Sequence, residues 1–269
     1  MPTTSAALIL AGIPGVRFTA GSDIRIPAGA LRVSIGEDGK PTMDPIVPQL
    51  RTDMWPHWLI EAVDAVPAAR SAADEVSRLA AVPERDEAAL DLALGAELRA
   101  TMRAITAPAF AVDSFYSSVK ARSPAHPHAE AWRAHRTPRH AQVYETIRYS
   151  LKLRNPGARK VRERIRELFR LRDWAVHPGS QFRDPILRAD VDSGVDWHFM
   201  VFRADNAVGA VAKTVNMMDI LVARMLRGSE ELRRSHAGAR KAMTQVLEAY
   251  DRAHLPAFDR ADESEASGS

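Results

Sequence analysis

The sequence predicts a mainly α-helical protein with a β-rich N-terminal arm. From residue 51 onward, apolar residues recur at steps of three and four, a spacing typical of amphipathic helices. Residues 1–50 instead contain short β-like runs separated by Gly and Pro. With 269 residues, of which 46% are hydrophobic, the chain is long enough to bury a sizeable core.

These patterns divide the chain into a β-rich arm at residues 1–50, a helical domain at residues 51–260 with its core at about 84–227, and a disordered acidic tail at residues 261–269. The apolar run at residues 6–13 lacks a basic leader and is too short to span a membrane, so we interpret it as a strand. The turn signal between Gly36 and Gly39 predicts a small hairpin. The tail is too polar to bury enough apolar surface to become ordered.

The helical domain begins with a stretch that Pro67 and Pro83 interrupt. Further helices are predicted at residues 84–121 (kinked at Pro108), 141–153, 157–176, from a cap at Asp205 through about residue 226, and at 229–254. Residues 123–139 form a Pro- and His-rich connection with at most a short helical turn. A β-hairpin is predicted after the 157–176 helix, with arms at residues 186–191 and 195–203.

The composition excludes several classes of site. The chain has no cysteine, which rules out disulfides, thiolate metal sites and cysteine nucleophiles, and a reducing cytoplasm fits best. The sequence also lacks the phosphate-binding, dinucleotide-binding, zinc-protease and serine-hydrolase motifs. We therefore expect no cofactor, no resident metal and no membrane association.

Positive charge is concentrated in one part of the chain. Residues 120–177 contain fifteen Lys and Arg residues but five Asp and Glu residues. Such segregation favours a surface for a polyanion, since nucleic-acid backbones are bound chiefly by neutralising charge. The alternative is a solvated face of Arg-rich helices, because Arg outnumbers Lys 31 to 6 throughout the chain. The candidate RNA-binding residues are Arg136, Arg139, Arg162, Arg166 and Arg170.

The helix at residues 157–176 carries an arginine on its apolar side. At about 100° per residue, Val161, Ile165, Leu168, Phe169 and Val176 form one stripe, and Arg172 falls in the middle of it. A guanidinium there needs a partner or a wet cleft, because burying an unpaired charge is costly.

The same helix ends at a histidine. His177 precedes Pro178-Gly179, which cannot extend a helix. An imidazole that titrates near neutrality, beside a permanently charged guanidinium, suits acid–base chemistry at a phosphodiester. Arg172 would hold the phosphate and stabilise developing negative charge, while His177 would move a proton.

Arg172, Asp173 and His177 resemble the signature of the HEPN superfamily, which is Arg, a polar residue, a short spacer and then His at a helix near the centre of a bundle. The resemblance implies a helical bundle that dimerises around the motif, and metal-independent RNA cleavage by attack of the ribose 2′-hydroxyl on the adjacent phosphate. It implies Arg172 and His177 as catalytic residues and Asp173 as a supporting polar group, which we expect to fix Arg172 or the dimer seam and not to take a proton. By family analogy, the protein would act in defence or as a toxin, with an antitoxin or other regulator as a further partner.

Several alternatives remain at this point. Arg172 could form an ion pair across the bundle while His177 only caps the helix. The same bundle could also bind RNA or a nucleotide without catalysis, or act only in oligomerisation. Asp113 and Tyr116 are candidates to orient Arg172 or His177, or are simply core or surface residues. The cluster His126, His128, His135 and His140 suggests either a zinc site that lacks a completing carboxylate or a basic loop facing RNA.

Overall fold

The computed structural model describes residues 21–30, 32–36, 38–43, 48–177 and 182–258. It confirms the mainly α-helical class, since helices account for 66% of the described residues. The predicted strand at residues 6–13, the Pro178-Gly179 stop and the acidic tail at residues 261–269 lie outside these ranges. The chain divides into two compact units, residues 1–53 and 54–269.

The N-terminal unit contains, in its described part, four short strands: β1 (Ser22–Arg25), β2 (Val33–Ile35), β3 (Pro41–Met43) and β4 (Gln49–Thr52). They form two antiparallel pairs, β1 with β4 and β2 with β3. The predicted hairpin is β2–β3, and its turn is closed by the Gly39 N–H donating to the Gly36 carbonyl at 2.9 Å. Gly39 has φ +72°, a conformation that side chains with a Cβ rarely adopt.

The helical unit contains these elements within the described residues: α1 (Trp55–Ala80), α2 (Glu87–Ala121), α3 (Ala129–Ala134), α4 (Arg139–Ser150), α5 (Gly157–Val176), β5 (Ile186–Arg188), β6 (Ser193–Val195), α6 (His198–Val201), α7 (Ala204–Arg224), a 3₁₀ turn (Met225–Arg227) and α8 (Glu230–Arg252). Helix α2 is central, because it packs against α1, α4, α5 and α7. Helix α5 contacts α2, α4 and α7, so the predicted motif lies on a helix with neighbours on several sides.

Local signals account for several helix ends. Helix α2 begins three residues later than predicted, because the Asp86 carboxylate caps it by accepting from the Ala89 N–H at 3.0 Å. Ser229 caps α8 in the same way. Both Pro67 in α1 and Pro108 in α2 lie inside continuous helices. The prediction that Pro67 interrupts the first helix is therefore wrong.

The predicted cap of α7 at Asp205 is wrong. The helix begins at Ala204, and Arg203 occupies the cap position without a capping side-chain hydrogen bond. The Ala204 N–H instead donates to Glu97 Oε1 of α2, 3.4 Å away in the core. A carboxylate distant in the sequence thus accepts from the first backbone N–H of α7, although the local sequence suggests Asp205 as the cap.

The predicted hairpin after α5 exists but is shorter than expected. Strands β5 and β6 pair over three residues each, and the second arm gives way to α6. The reason is local, because Asp196 accepts from the His198 N–H at 2.9 Å and so turns the chain into a helix. Phe202, which directly follows α6, is 1% exposed.

Candidate functional site

Helix α5 matches its predicted bounds, Gly157–Val176. Four positions of the predicted apolar stripe are buried, namely Val161, Ile165, Leu168 and Phe169. The fifth, Val176, is 56% exposed, so the prediction fails at the last turn of the helix. The buried stripe fixes the rotation of α5 about its axis and therefore decides which polar residues face outward.

The Arg172 guanidinium is half-enclosed and has a partner on its own helix. Its side chain is 22% exposed and lies over the Phe169 ring, with Cζ 4.6 Å from the ring centroid. Arg172 donates to Asp173 Oδ1 from Nε at 3.1 Å and from Nη2 at 2.6 Å. The ring and the carboxylate together hold the guanidinium in place while leaving part of it open to solvent. The ion pair is thus between neighbours along the helix and does not cross the bundle.

His177 ends the helix and points into solvent. Its backbone N–H donates to the Asp173 carbonyl at 2.8 Å, which continues the helical ladder by one bond. The backbone then departs from helical geometry, with φ −123° and ψ 66°. The exposed imidazole can therefore reach a ligand outside the bundle.

Arg172 and His177 project from different sides of α5. Five residues of helix place them about 140° apart around the axis and roughly 7 Å apart along it. Around His177, the same outer face carries Arg166, Arg170 and Asp173, which are all exposed. Within one chain, the guanidinium and the imidazole therefore flank Asp173 without facing each other.

His140 of α4 lies against this face of α5. Partial burial lowers the pKa of His140, and the positive charges of Arg166 and Arg162 lower it further, while Asp173 acts to raise it. An imidazole in this environment favours its neutral form. The sequence offered His140 only as part of a possible metal or RNA-facing cluster, because its approach to α5 depends on the packing of two helices.

Asp113 and Tyr116 contact a different arginine from the one expected. Asp113 Oδ1 accepts from Arg139 Nε at 3.0 Å and from Arg139 Nη2 at 2.6 Å. The same guanidinium lies 4.4 Å from the centroid of the Tyr116 ring. Among the described residues, no hydrogen bond, ion pair or ring contact joins either side chain to Arg172 or His177. Asp113 and Tyr116 instead hold the start of α4, which carries Arg139 and His140.

Aromatic rings extend the outer side of α5 near its end. Trp174 packs edge-on against Trp197, with centroids 5.3 Å apart. Arg170 lies 4.7 Å from the Trp174 centroid, and Arg183 lies 5.1 Å from that of Trp197. The sequence did not indicate this cluster of arginine and tryptophan side chains. Arg170, Trp174 and Arg183 precede the β5–β6 hairpin in the sequence, whereas Trp197 follows it.

A buried ion pair anchors the hairpin that presents Trp197. Arg188 of β5 is 1% exposed and Glu97 of α2 is 2% exposed, and their Nη2 and Oε2 atoms lie 2.8 Å apart. Arg188 also pairs with Asp190, which in turn binds Arg203 at 3.1 Å. In addition, the Val191 carbonyl accepts from Arg85 at 2.8 Å. These contacts tie the hairpin to α2 and to the start of α7.

The predicted RNA-binding arginines are all exposed: Arg136, Arg139, Arg162, Arg166 and Arg170. Arg136 lies in the connection that precedes α4 and has φ +48°. Arg139 is bound by Asp113, whereas Arg166 and Arg170 follow the outer face of α5 toward His177. The predicted RNA-binding arginines thus lie mainly along α5.

The other histidines of the predicted cluster pack locally. The His126 ring stacks on Trp132 with centroids 4.7 Å apart and meets Tyr149 edge-on at 4.9 Å. His135 Nδ1 lies 2.8 Å from the Ala131 carbonyl oxygen. Within the ranges that the structure describes, no group of three or more His, Asp or Glu side chains is placed to hold a metal ion.

No protein-family model, curated protein or solved structure matches this chain. The resemblance to the HEPN superfamily therefore stays a prediction that rests on Arg172, Asp173 and His177. Among the described helices, none combines the length and hydrophobicity that crossing a lipid bilayer requires.

Proposed function

We propose that this protein is a metal-independent endoribonuclease that acts as a HEPN-like homodimer. One observation carries the proposal: at the end of α5, Asp173 and Phe169 hold a partly exposed Arg172 guanidinium, and the exposed His177 imidazole follows five residues later. The guanidinium binds an RNA phosphate, and the imidazole transfers protons at the neighbouring oxygen atoms.

The proposed reaction is transesterification within RNA. A base removes the proton of the ribose 2′-hydroxyl, whose oxygen forms a bond to the adjacent phosphorus. The bond from phosphorus to the 5′ oxygen breaks, and an acid supplies a proton to that oxygen. His177 serves as base or acid, and Arg172 stabilises the additional negative charge on the phosphoryl oxygens. The products are a 2′,3′-cyclic phosphate and a 5′-hydroxyl.

The proposal requires two chains at each site. Because Arg172 and His177 diverge by about 140° around one helix, a phosphate that Arg172 of one chain binds is approached by His177 of its partner. Two-fold pairing of α5 ends would then generate two equivalent sites. The exposed Arg166 and Arg170, together with the Trp174 and Trp197 rings, supply phosphate contacts and stacking surfaces for the flanking nucleotides.

The test is cleavage of a fluorescent single-stranded RNA by the purified full chain in excess EDTA. We expect cleavage by the wild type, with a 2′,3′-cyclic phosphate on the 5′ fragment. His177→Ala and Arg172→Ala lower the rate by a factor on the order of a hundred or more. Arg252→Gln, which removes an exposed charge at the end of α8, leaves it unchanged. An inactive wild type, or equal rates in all four proteins, would refute the proposal.

One observation favours a second candidate, an RNA-binding module without catalysis. The Arg172 guanidinium is already bound by Asp173 of its own chain, which reduces its net charge toward a phosphate. Under this alternative, the wild type binds the same RNA without cleaving it. The variant Arg166→Gln/Arg170→Gln then weakens binding and makes it less dependent on salt, since fewer phosphate contacts form.

A further inference from the structure

A second polar site lies at the opposite end of α5 from the proposed catalytic residues. A cleft of 760 Å³ opens between the loop at residues 152–156, the first turns of α5 and the outer side of α7. We call it the α5–α7 cleft. Gly157, where α5 begins, is about 22 Å along the helix from Arg172. The volume of the α5–α7 cleft is within the range of small-molecule sites, which is about 300–1,000 Å³.

Cations dominate the lining of this cleft. Seven basic side chains line it: Lys152, Arg154, Lys160, Arg164, Lys213, Arg224 and Arg227. Two carboxylates accompany them, Glu163 and Glu167, and Glu167 is bound to Arg164 at 2.9 Å. Two adjoining cavities of 530 and 340 Å³ share Lys152 and Arg154 with it. The positive field thus converges from three separate segments of the chain.

Five of these cations have no carboxylate partner among the residues that the structure describes. Among the described residues, no ion pair or hydrogen bond involves the charged groups of Lys152, Arg154, Lys160, Lys213 or Arg224. Mutual repulsion between like charges around one concavity is relieved when an anion enters it.

The environment of Arg164, which pairs with Glu167, agrees with an anionic ligand. Burial lowers the pKa of Arg164, whereas Glu167 acts in the opposite direction. A guanidinium that has lost part of its hydration gains more from a further anionic contact than an exposed one.

The cleft also has an apolar wall. Leu153, Val161, Met217 and Ile220 line it; Ile220 is 41% exposed, whereas Val161 and Met217 are largely buried beneath it. The side-chain amide of Asn216 adjoins them, and no hydrogen bond to another described residue involves it. A ligand that only neutralised charge would leave the exposed Ile220 side chain in water. A ligand with both a phosphate chain and a planar, partly apolar ring system would cover it.

We infer that the α5–α7 cleft binds a nucleotide with two or more phosphate groups. The phosphates contact Lys213 and Arg224 of α7 together with Lys152 and Arg154 of the loop. The base lies on Ile220, and the Asn216 amide pairs with its polar edge. This inference does not depend on RNA cleavage, because the cleft contains neither Arg172 nor His177.

The experiment is isothermal titration of the full chain, without divalent cations, using adenosine, AMP, ADP, ATP and inorganic triphosphate as probes. We expect affinity to rise with the number of phosphates and to fall as salt is added. ATP should bind more tightly than triphosphate, because only ATP covers the apolar wall. GTP and UTP in the same assay measure how strongly the base is selected.

Three variants locate the site. Lys213→Gln/Arg224→Gln should weaken ATP binding by a factor on the order of a hundred or more, since it removes two charged contacts to phosphate. Ile220→Ser should weaken ATP binding while leaving triphosphate binding unchanged. Lys241→Gln removes an exposed charge on α8 outside the cleft and should change neither. Circular dichroism of each variant confirms that it is folded.

Two results would overturn the inference. One is the absence of ATP binding at millimolar concentration by the folded wild type. The other is binding that Lys213→Gln/Arg224→Gln and Lys241→Gln affect equally, which would mean non-specific attraction to the basic chain. If the α7 variant weakens binding of a single-stranded RNA oligonucleotide while ATP does not bind, the cleft is an RNA contact surface and the nucleotide assignment is wrong.

Discussion

Replacing Arg188 with leucine should cause a large loss of stability. Arg188 and Glu97 are 1% and 2% exposed, and their Nη2 and Oε2 atoms are 2.8 Å apart. Burial acts to lower the pKa of Arg188, but the carboxylates of Asp190 and Glu97 more than offset it, so that the pKa is raised. Removing the guanidinium leaves the Glu97 carboxylate in the core without its cation. Such a change costs about 3–5 kcal/mol.

That loss is large compared with the total stability of a domain, about 5–15 kcal/mol. It is measured as the change in free energy of unfolding from urea titrations followed by circular dichroism. Arg78→Gln is the matched control, because Arg78 pairs with Glu75 at the surface, where both side chains are half-exposed. Exposed pairs contribute about 1 kcal/mol or less.

The double variant Glu97→Leu/Arg188→Leu separates two explanations. If the cost comes from an unpaired buried carboxylate, the double variant should recover much of the stability that Arg188→Leu loses. A loss in Arg188→Leu no larger than that in Arg78→Gln would refute the reasoning, because it would show that the pair does not anchor the hairpin.

Two further predictions concern a helix cap and a histidine. Ser229 Oγ accepts from the Leu232 N–H at 3.2 Å, so Ser229→Ala should lower the free energy of unfolding by about 1 kcal/mol; an unchanged urea midpoint would contradict this. The pKa of His140 is lowered from 6.5 in the folded chain, chiefly by burial, so the unfolded chain binds a proton more readily and stability falls as the pH drops below 6.5. His140→Gln should therefore show a shallower loss of stability over that range than the wild type, whereas parallel profiles would exclude this role of His140.

Features that depend on nearby residues were predictable from the sequence. The bounds of α5 and its buried stripe follow from apolar periodicity that Pro156 and Pro178 interrupt at either end. The β2–β3 hairpin follows from its glycine turn. The exposure of Val176 was not predictable, because it depends on whether a neighbouring element covers the last turn of α5.

Features that depend on tertiary packing were missed. The cap of α7 comes from Glu97, which is 107 residues away in the sequence. Asp113 binds Arg139, a pairing between two helices for which the sequence offers several equally charged candidates. The α5–α7 cleft combines the basic loop before α5 with Lys213 and Arg224, which lie outside the basic segment at residues 120–177.

The proposed site also shows which features a short sequence motif can predict. The sequence identified Arg172 and His177 by residue type and spacing and offered Asp173 as the group that fixes Arg172 or the dimer seam; the structure shows Asp173 bound to Arg172. It adds His140 as a neighbour of the outer face of α5. The position of His140 does not follow from the motif, because the packing of α4 against α5 decides it.

Mixing two inactive variants tests the proposed composite site most directly. Arg172→Ala and His177→Ala chains are combined in equal amounts, allowed to exchange subunits, and assayed for RNA cleavage in EDTA. If each site takes Arg172 from one chain and His177 from its partner, half of the dimers regain one of two sites. Activity should then return to about a quarter of the wild-type rate. A mixture as inactive as its two components, under conditions where the wild type cleaves RNA and subunits exchange, would contradict the account.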